Sequence, residues 1–282
     1  MVVQQRVETA KTDIPVLNIT GLDAYAPAEI ARRVEIAGRT KAALPLEQLA
    51  TLGLMAGVFI SFGAALYTMV MTGGTLGLGP NRLMGGLAFS LGLILIIIGG
   101  AELFTGNTLI VMAWADRKVS SRALARNWGV SFVANTVGAI LLALCVYHSG
   151  VLEIGGSKDT AIKFAEAKAQ LDFKQAFFRG VLCNLLVCLA VWMSFACHSV
   201  TDKILAITLP VAAFVALGFE HSIANCYLIP VGMLAGANVT IGAFLGNLIP
   251  VTLGNIVGGA GGVAGVYWLI YLRRPRDVKV SP

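Results

Sequence analysis

Three ionisable side chains, Glu102, Glu220 and His221, stand inside long stretches otherwise free of charge. A charge in apolar surroundings is costly unless it is paired or hydrogen-bonded, so such a group marks a structural hub or a working site. The two glutamates share a frame: Gly100-Ala-Glu102-Leu-Phe-Thr-Gly-Asn107 and Gly218-Phe-Glu220-His-Ser-Ile-Ala-Asn225 both read G-x-E-x-x-x-x-N. Each carboxylate, with Asn107 or Asn225 beside it, can accept hydrogen bonds from the free N–H groups of a broken helix, and the symmetric placement favours that structural role. His221 has no such twin, because Leu103 holds its place in the first motif. An imidazole titrates near neutrality and can donate or accept, so His221 reads as a polar group lining a passage; the alternative is a buried ring satisfied by a neighbour. Thr105 in the other motif is the expected partner, since its hydroxyl can hold one ring nitrogen and bias the tautomer.

Asn184, Asn247 and Asn255 lie within apolar segments. They either bond helix to helix or orient a polar solute. Phe89, Leu93, Phe104 and Phe214 are compatible with ordinary packing or with a hydrophobic constriction. Five cysteines (Cys145, Cys183, Cys188, Cys197, Cys226) include no C-x-x-C pair and read as small buried hydrophobes, so no metal or cofactor is expected.

The elements that hold these residues are membrane helices. Hydrophobic residues make up 57% of the 282-residue chain and charged ones 13%, about half the charge of a soluble domain. Uncharged runs cover Leu52–Met71, Leu83–Ala101, Trp128–Tyr147, Val181–Cys197 and Ile204–Phe219, and a longer one extends from Ser222 to Leu272. Each approaches the roughly 20 residues a spanning helix needs, and the last has room for two segments. Six transmembrane helices are expected over residues 51–272, after a cytoplasmic segment (1–50) with a surface helix near Pro27–Ala43, and before a cytoplasmic tail (273–282).

Of the 21 Lys and Arg residues, 15 then fall on one side and 6 on the other. The net charge of +6 therefore reflects membrane edges rather than a nucleic-acid surface, and the positive-inside rule puts both termini in the cytoplasm. The loop from His148 to Gln175 faces outward.

The two G-x-E motifs lie 118 residues apart, and the pair Asn127/Asn135 recurs 120 residues later as Asn247/Asn255. Two motifs in one order imply a duplicated three-segment unit, with repeats at about 51–147 and 177–272. An odd segment count makes the second copy enter the membrane upside down. Folds of that kind place the solute site near the midplane, at broken helices in equivalent positions. The breaks are expected in the second and fifth helices, buried or lining a cavity.

Four motifs in order carry a resemblance: Glu102-Leu-Phe-Thr-Gly-Asn107, Arg179-Gly-Val-Leu-Cys-Asn184, Gly218-Phe-Glu-His-Ser-Ile-Ala-Asn225 and Ile249-Pro-Val-Thr-Leu-Gly-Asn255-Ile-Val-Gly-Gly259. Over about Pro27–Arg273 the chain resembles the formate/nitrite transporter family, most of all its formate channels. The resemblance implies an all-α, aquaporin-like fold and a homopentamer with one pore per subunit, in the inner membrane of a bacterium or archaeon. It also implies passage of formate, nitrite, hydrosulfide or related small monovalent anions, or of their conjugate acids.

Carried over by motif, His221 matches the central pore histidine and Thr105 the threonine of a flexible loop, with Leu103 and Phe104 beside it. Phe89, Leu93 and Phe214 match two apolar constrictions, and Asn184 and Asn255 match polar pore positions. Lys168 stands where a lysine draws anions to the outer mouth. A proton gained at or near His221 would let a carboxylate pass as the neutral acid. The competing readings are a nitrite or hydrosulfide channel of the same family and a neutral-solute channel for water or ammonia. A membrane hydrolase is disfavoured because Ser222 directly follows His221 and no nucleophile–base arrangement is apparent.

Overall fold

The computed structural model describes residues 23–273. Arg6, Lys11, Arg274, Arg276 and Lys279, which entered the charge argument, lie outside the described residues.

Within 23–273 the chain is all-helical. Helix α1 covers Pro27–Ala43, α2 Leu46–Met71, α3 Leu78–Gly99, α4 Phe104–Ala115 and α5 Ser121–His148. Helix α6 covers Ser157–Ala169, α7 Phe173–Ser194, α8 Val200–Ala216, α9 Ser222–Ala235 and α10 Ile241–Leu272. Five of them (α2, α3, α5, α7, α10) are long and apolar enough to cross a bilayer, which makes this a multi-pass membrane protein. Helix α8, with 17 residues, rises about 25 Å at about 1.5 Å per residue. The first apolar helix begins at Leu46, ahead of the expected boundary at 51. Pro45 sits just before its first turn, and Glu47 there suits the positive end of the helix dipole.

Side-chain caps fix several helix starts. Ser120, Asp172 and Thr240 accept from backbone N–H groups of Ala123, Gln175 and Ala243, and Ser199 forms a reciprocal box with Asp202. Helix α2 packs on α3 and α5, α7 packs on α8 and α10, and α3 crosses to α8. Helices α2 and α5 meet so closely that a side chain on Gly57 would strike the carbonyl oxygen of Asn135. The short helices α4 and α9 are inserted between these groups. Helix α1 lies against α4, and α6 lies against α9.

The core runs through Ile60, Phe89, Leu93, Leu103, Val187, Val211 and Phe214, all buried. Apolar side chains such as Val133, Leu205, Leu209 and Ile249 face outward, as a lipid-facing or subunit-facing surface requires. Among the cysteines, Cys183, Cys188 and Cys226 are buried as expected; Cys197, just past the end of α7, is only half-buried, and Cys145 on the outward face of α5 is exposed.

Candidate functional site

Both chain breaks are built alike. Gly100 after α3 and Gly218 after α8 take φ of +79° and +73°, a left-handed turn that a side chain would strain. The next residues leave the helix, and their freed backbone groups find partners. Glu102 N–H donates to Leu52 O and Glu220 N–H to Arg179 O, each at 3.2 Å. Asn135 Oδ1 accepts from Phe104 N–H at 2.8 Å, while its Nδ2 donates to Glu102 O at 2.9 Å and Gly53 O at 2.6 Å. Asn255 repeats this, accepting from Ser222 N–H at 2.9 Å and donating to Glu220 O at 3.0 Å and Gly180 O at 2.8 Å.

The carboxylates are held by matching networks. Glu102 accepts from Lys41 Nζ at 2.6 Å and Asn107 Nδ2 at 2.8 Å. Asn107 also donates to Asn127 Oδ1 at 3.0 Å, and Asn127 Nδ2 returns to Lys41 O at 3.0 Å. In the second network Glu220 accepts from Lys168 Nζ at 2.9 and 3.0 Å and from Asn225 Nδ2 at 2.7 Å. Asn225 donates to Asn247 Oδ1 at 2.7 Å, and Asn247 Nδ2 to Lys168 O at 2.9 Å. Each of these bonds has its counterpart, and the first network adds one from Lys41 Nζ to Asn107 Oδ1 at 3.3 Å, where Asn225 Oδ1 has no partner. A fully bonded carboxylate paired with an ammonium is a brace for the break, with little capacity left to bind a solute.

Between the breaks His221 meets Thr105, with Nε2 3.0 Å from the hydroxyl oxygen. Both residues are buried. His221 is also the cap of α9: its Nδ1 accepts the Ala224 N–H at 3.2 Å. A backbone N–H can only donate, so Nδ1 carries the lone pair and the ring proton sits on Nε2, directed at Thr105. The Thr105 hydroxyl accepts that bond and keeps its own proton to offer. Phe214 lies alongside the ring, with centroids 6.1 Å apart, and meets Phe89 edge-on at 5.7 Å.

A cavity of about 250 Å³ opens on one side of His221, lined by Tyr67, Arg82, Lys168, Arg179 and Glu220, with Phe89 and Phe214 among its walls. Beyond Phe89, Phe214 and His221, Ile60, Leu93, Leu103, Val187 and Val211 close in until no water fits. A smaller cleft of about 20 Å³ lies between α1 and α4, where Lys41, Gly38, Gly106 and Ile110 meet Phe195. The arrangement is a largely apolar vestibule that carries several charged side chains, a dry apolar neck, and an imidazole at the neck bonded to a buried hydroxyl.

Five of the residues expected in a passage line these spaces: His221, Phe89, Phe214, Leu93 and Leu103; Thr105 lines neither and joins them only through its bond to His221. Others stand elsewhere. Phe104 turns toward Trp128 and Phe132, with ring centroids at 6.3 and 5.1 Å, and lines neither the vestibule nor the neck. Asn255 is occupied with the break it braces. Asn184 lies between the breaks, donating to Thr105 O at 3.2 Å and Asn255 O at 2.7 Å, and lines neither space. Lys168 borders the vestibule, but its ammonium is bound to Glu220 rather than free.

Sequence reasoning missed Lys41 and its place in the first brace, and it missed Tyr67 and Arg82 in the vestibule. Lys41 and Lys168 stand 127 residues apart, as do Gly53 and Gly180, and that common offset was a usable signal. Among the described residues no three His, Cys, Asp or Glu side chains gather as a metal site.

The chain compares closely with known transport proteins. A profile of the formate/nitrite transporter family matches residues 28–269. The formate channel FocA of Escherichia coli strain K12 is 41% identical over 273 residues, covering 89% of this chain and 96% of FocA. The transporter YrhG of Bacillus subtilis strain 168 is 40% identical over 260 residues, covering 90% and 96%. A solved pentameric formate channel with formate bound superposes with a TM-score of 0.75 at 42% identity, over 81% of this chain and 98% of that one.

Proposed function

We infer that this chain, which belongs to the formate/nitrite transporter family, passes formate across a bilayer through a path within the subunit, and that the proton crossing with it is managed at His221. The observation that carries this reading is His221, which borders both a vestibule with charged walls and an apolar neck and is held 3.0 Å from the Thr105 hydroxyl.

Magnitudes decide in what form the solute passes. A bare carboxylate entering an apolar neck loses tens of kcal/mol of hydration in the Born limit. Protonating a carboxylate with pKa near about 4 costs roughly 4 kcal/mol at pH 7. The neutral acid is therefore the form that crosses the neck. The neutral His221 ring cannot supply this proton outright, since losing the Nε2 proton would leave a strongly basic imidazolate. Its part is to steer. The Nε2–H or the Thr105 O–H donates to a solute oxygen as the last water leaves, and the proton arrives from water in the vestibule. Phe89, Phe214, Leu93 and Leu103 keep water and hydrated ions out of the neck.

The two matching braces support an architecture of two three-segment halves, the second inverted, with α3/α4 and α8/α9 as the broken second and fifth segments. The chain then spans the membrane six times, with both termini in the cytoplasm of a bacterium or archaeon. The name of the solved relative supports a homopentamer for this chain as well. A path that only needs to hold and release a solute requires no catalytic step.

Uptake of labelled formate into proteoliposomes, with nitrite and hydrosulfide as competitors, tests the choice of solute. Saturable formate uptake that excess nitrite reduces only weakly is the expected result. Saturable nitrite or hydrosulfide uptake without formate uptake would move the chain to another branch of the family. Water or ammonia permeation alone would make it a neutral-solute channel.

A further inference from the structure

Lys168 contributes little net charge to the vestibule, because Glu220 holds its ammonium at 2.9 and 3.0 Å from both carboxylate oxygens. Two other cations line the same cavity, Arg82 and Arg179, and neither forms an ion pair among the described residues. Arg82 is the better placed of the two. Near the start of α3 its Nη1 reaches the end of α8 and donates to Ala216 O at 3.4 Å. The carbonyls at a helix C-terminus carry partial negative charge, so they orient the guanidinium without neutralising it. One long bond leaves most of the guanidinium's N–H groups without a protein acceptor.

Tyr67 borders the same space from α2. Its ring stacks on Phe164 with centroids 5.0 Å apart and meets Phe89 edge-on at 6.4 Å. It also packs so tightly on α3 that a side chain at Gly85, one turn beyond Arg82, would lie 2.9 Å from the ring. The ring is thus fixed, while its hydroxyl has no hydrogen-bond partner among the described residues and the residue lines the cavity. A guanidinium offers two parallel N–H donors matched to a carboxylate, and a phenol beside it adds a third.

We propose that Arg82 and Tyr67 form a binding site for a small carboxylate or other planar oxyanion in the vestibule, ahead of the Phe89–Phe214 floor and separate from the His221–Thr105 pair. Formate is chosen as the probe on the strength of the transport reading; the site itself rests on the cation and the unpartnered hydroxyl. Occupancy there would concentrate the anion, still hydrated on its open side, at the entrance to the neck.

The test uses the full-length protein in two assays. Line broadening of 13C-formate by the protein in lipid nanodiscs reads binding, and uptake into proteoliposomes reads half-saturation and maximal rate. Arg82→Gln is expected to weaken binding and raise half-saturation about fivefold to tenfold, the effect of one charge-assisted contact on an open face, with maximal rate within about twofold. Tyr67→Phe is expected to shift both about twofold to threefold. Added sodium chloride should weaken wild-type binding more than it weakens binding to the Arg82→Gln protein, which keeps Arg179 in the same cavity. Should that variant fail to assemble, Arg82→Lys keeps the charge but loses the fork, and the expected shift is about twofold to threefold.

Unchanged binding and half-saturation in the variants would overturn the site while leaving the transport reading intact. A loss of maximal rate with half-saturation unmoved would overturn it too, making Arg82 a helix clamp. Arg82-dependent formate binding in a protein that carries no formate flux would keep the site and overturn the transport reading.

Discussion

Replacing Glu220 with leucine lowers the stability of the folded protein by about 3 kcal/mol, the low end for breaking a buried ion pair from one side. The change strands the Lys168 ammonium, whose side chain is only 18% exposed, and removes the acceptor of Asn225 Nδ2. Water in the adjoining vestibule relieves part of that cost, which keeps the figure at the low end. Thermal unfolding in mild detergent, read by the midpoint and the fraction still assembled, checks the value. A double variant that also converts Lys168 to Met should recover about half of the loss, because neither charge is then left alone. A midpoint unchanged by Glu220→Leu would mean that the brace does not hold the break. The parallel change at Glu102 should cost less, since Lys41 is 32% exposed and finds water more easily.

The second large effect is on transport itself. His221→Phe removes the Nε2–H donor at the neck and the Nδ1 acceptor that caps α9. Loss of one oriented donor in a dry site typically costs about 10²–10³ in rate, and formate uptake at pH 7 should fall by about that factor. The lost cap contributes roughly 1 kcal/mol of destabilisation, too little to account for such a drop. His221→Asn separates the two roles, because asparagine caps helices well and should restore stability while uptake stays low. Uptake and pH dependence unchanged in His221→Phe would make the ring a structural cap and nothing more.

Much of this site could be read from residue types and order. Two G-x-E motifs at one offset located the breaks, since a buried carboxylate next to a flexible glycine has few other uses. His221 stood out because it broke the symmetry of those motifs, and Thr105 followed as its opposite number. Other features were hidden by geometry. Lys41 lies in a polar helix 61 positions before its carboxylate, and a scan at the offset of the breaks (118) passes over a pair 127 apart. The matching bonds join residues at offsets of 118, 120 and 127, so no single offset finds them all.

Asn184 shows a different limit. It stands 127 residues beyond Gly57, the same spacing that separates Gly180 from Gly53. Polarity alone left helix-to-helix bonding and solute orientation both open, and the pore position came from the family resemblance. The observed bonds to Thr105 O and Asn255 O fit the first of these and tie the two breaks together. Which direction a side chain faces depends on the crossing of α7 with α4 and α10, and sequence spacing does not encode that crossing. The charge on Lys168 illustrates the same point, since its availability to a solute is set by a glutamate 52 residues away.

The central claim is that formate crosses the neck as the neutral acid, and charge movement tests it most directly. Formate uptake and internal pH are recorded together in proteoliposomes while a potassium gradient and valinomycin set the membrane potential. The account predicts one proton delivered for each formate, with uptake unaffected by an interior potential of about −100 mV. A bare anion would work against about 2.3 kcal/mol at that potential, a slowing of up to about 50-fold. Uptake that falls in that manner without acidifying the interior would contradict the account.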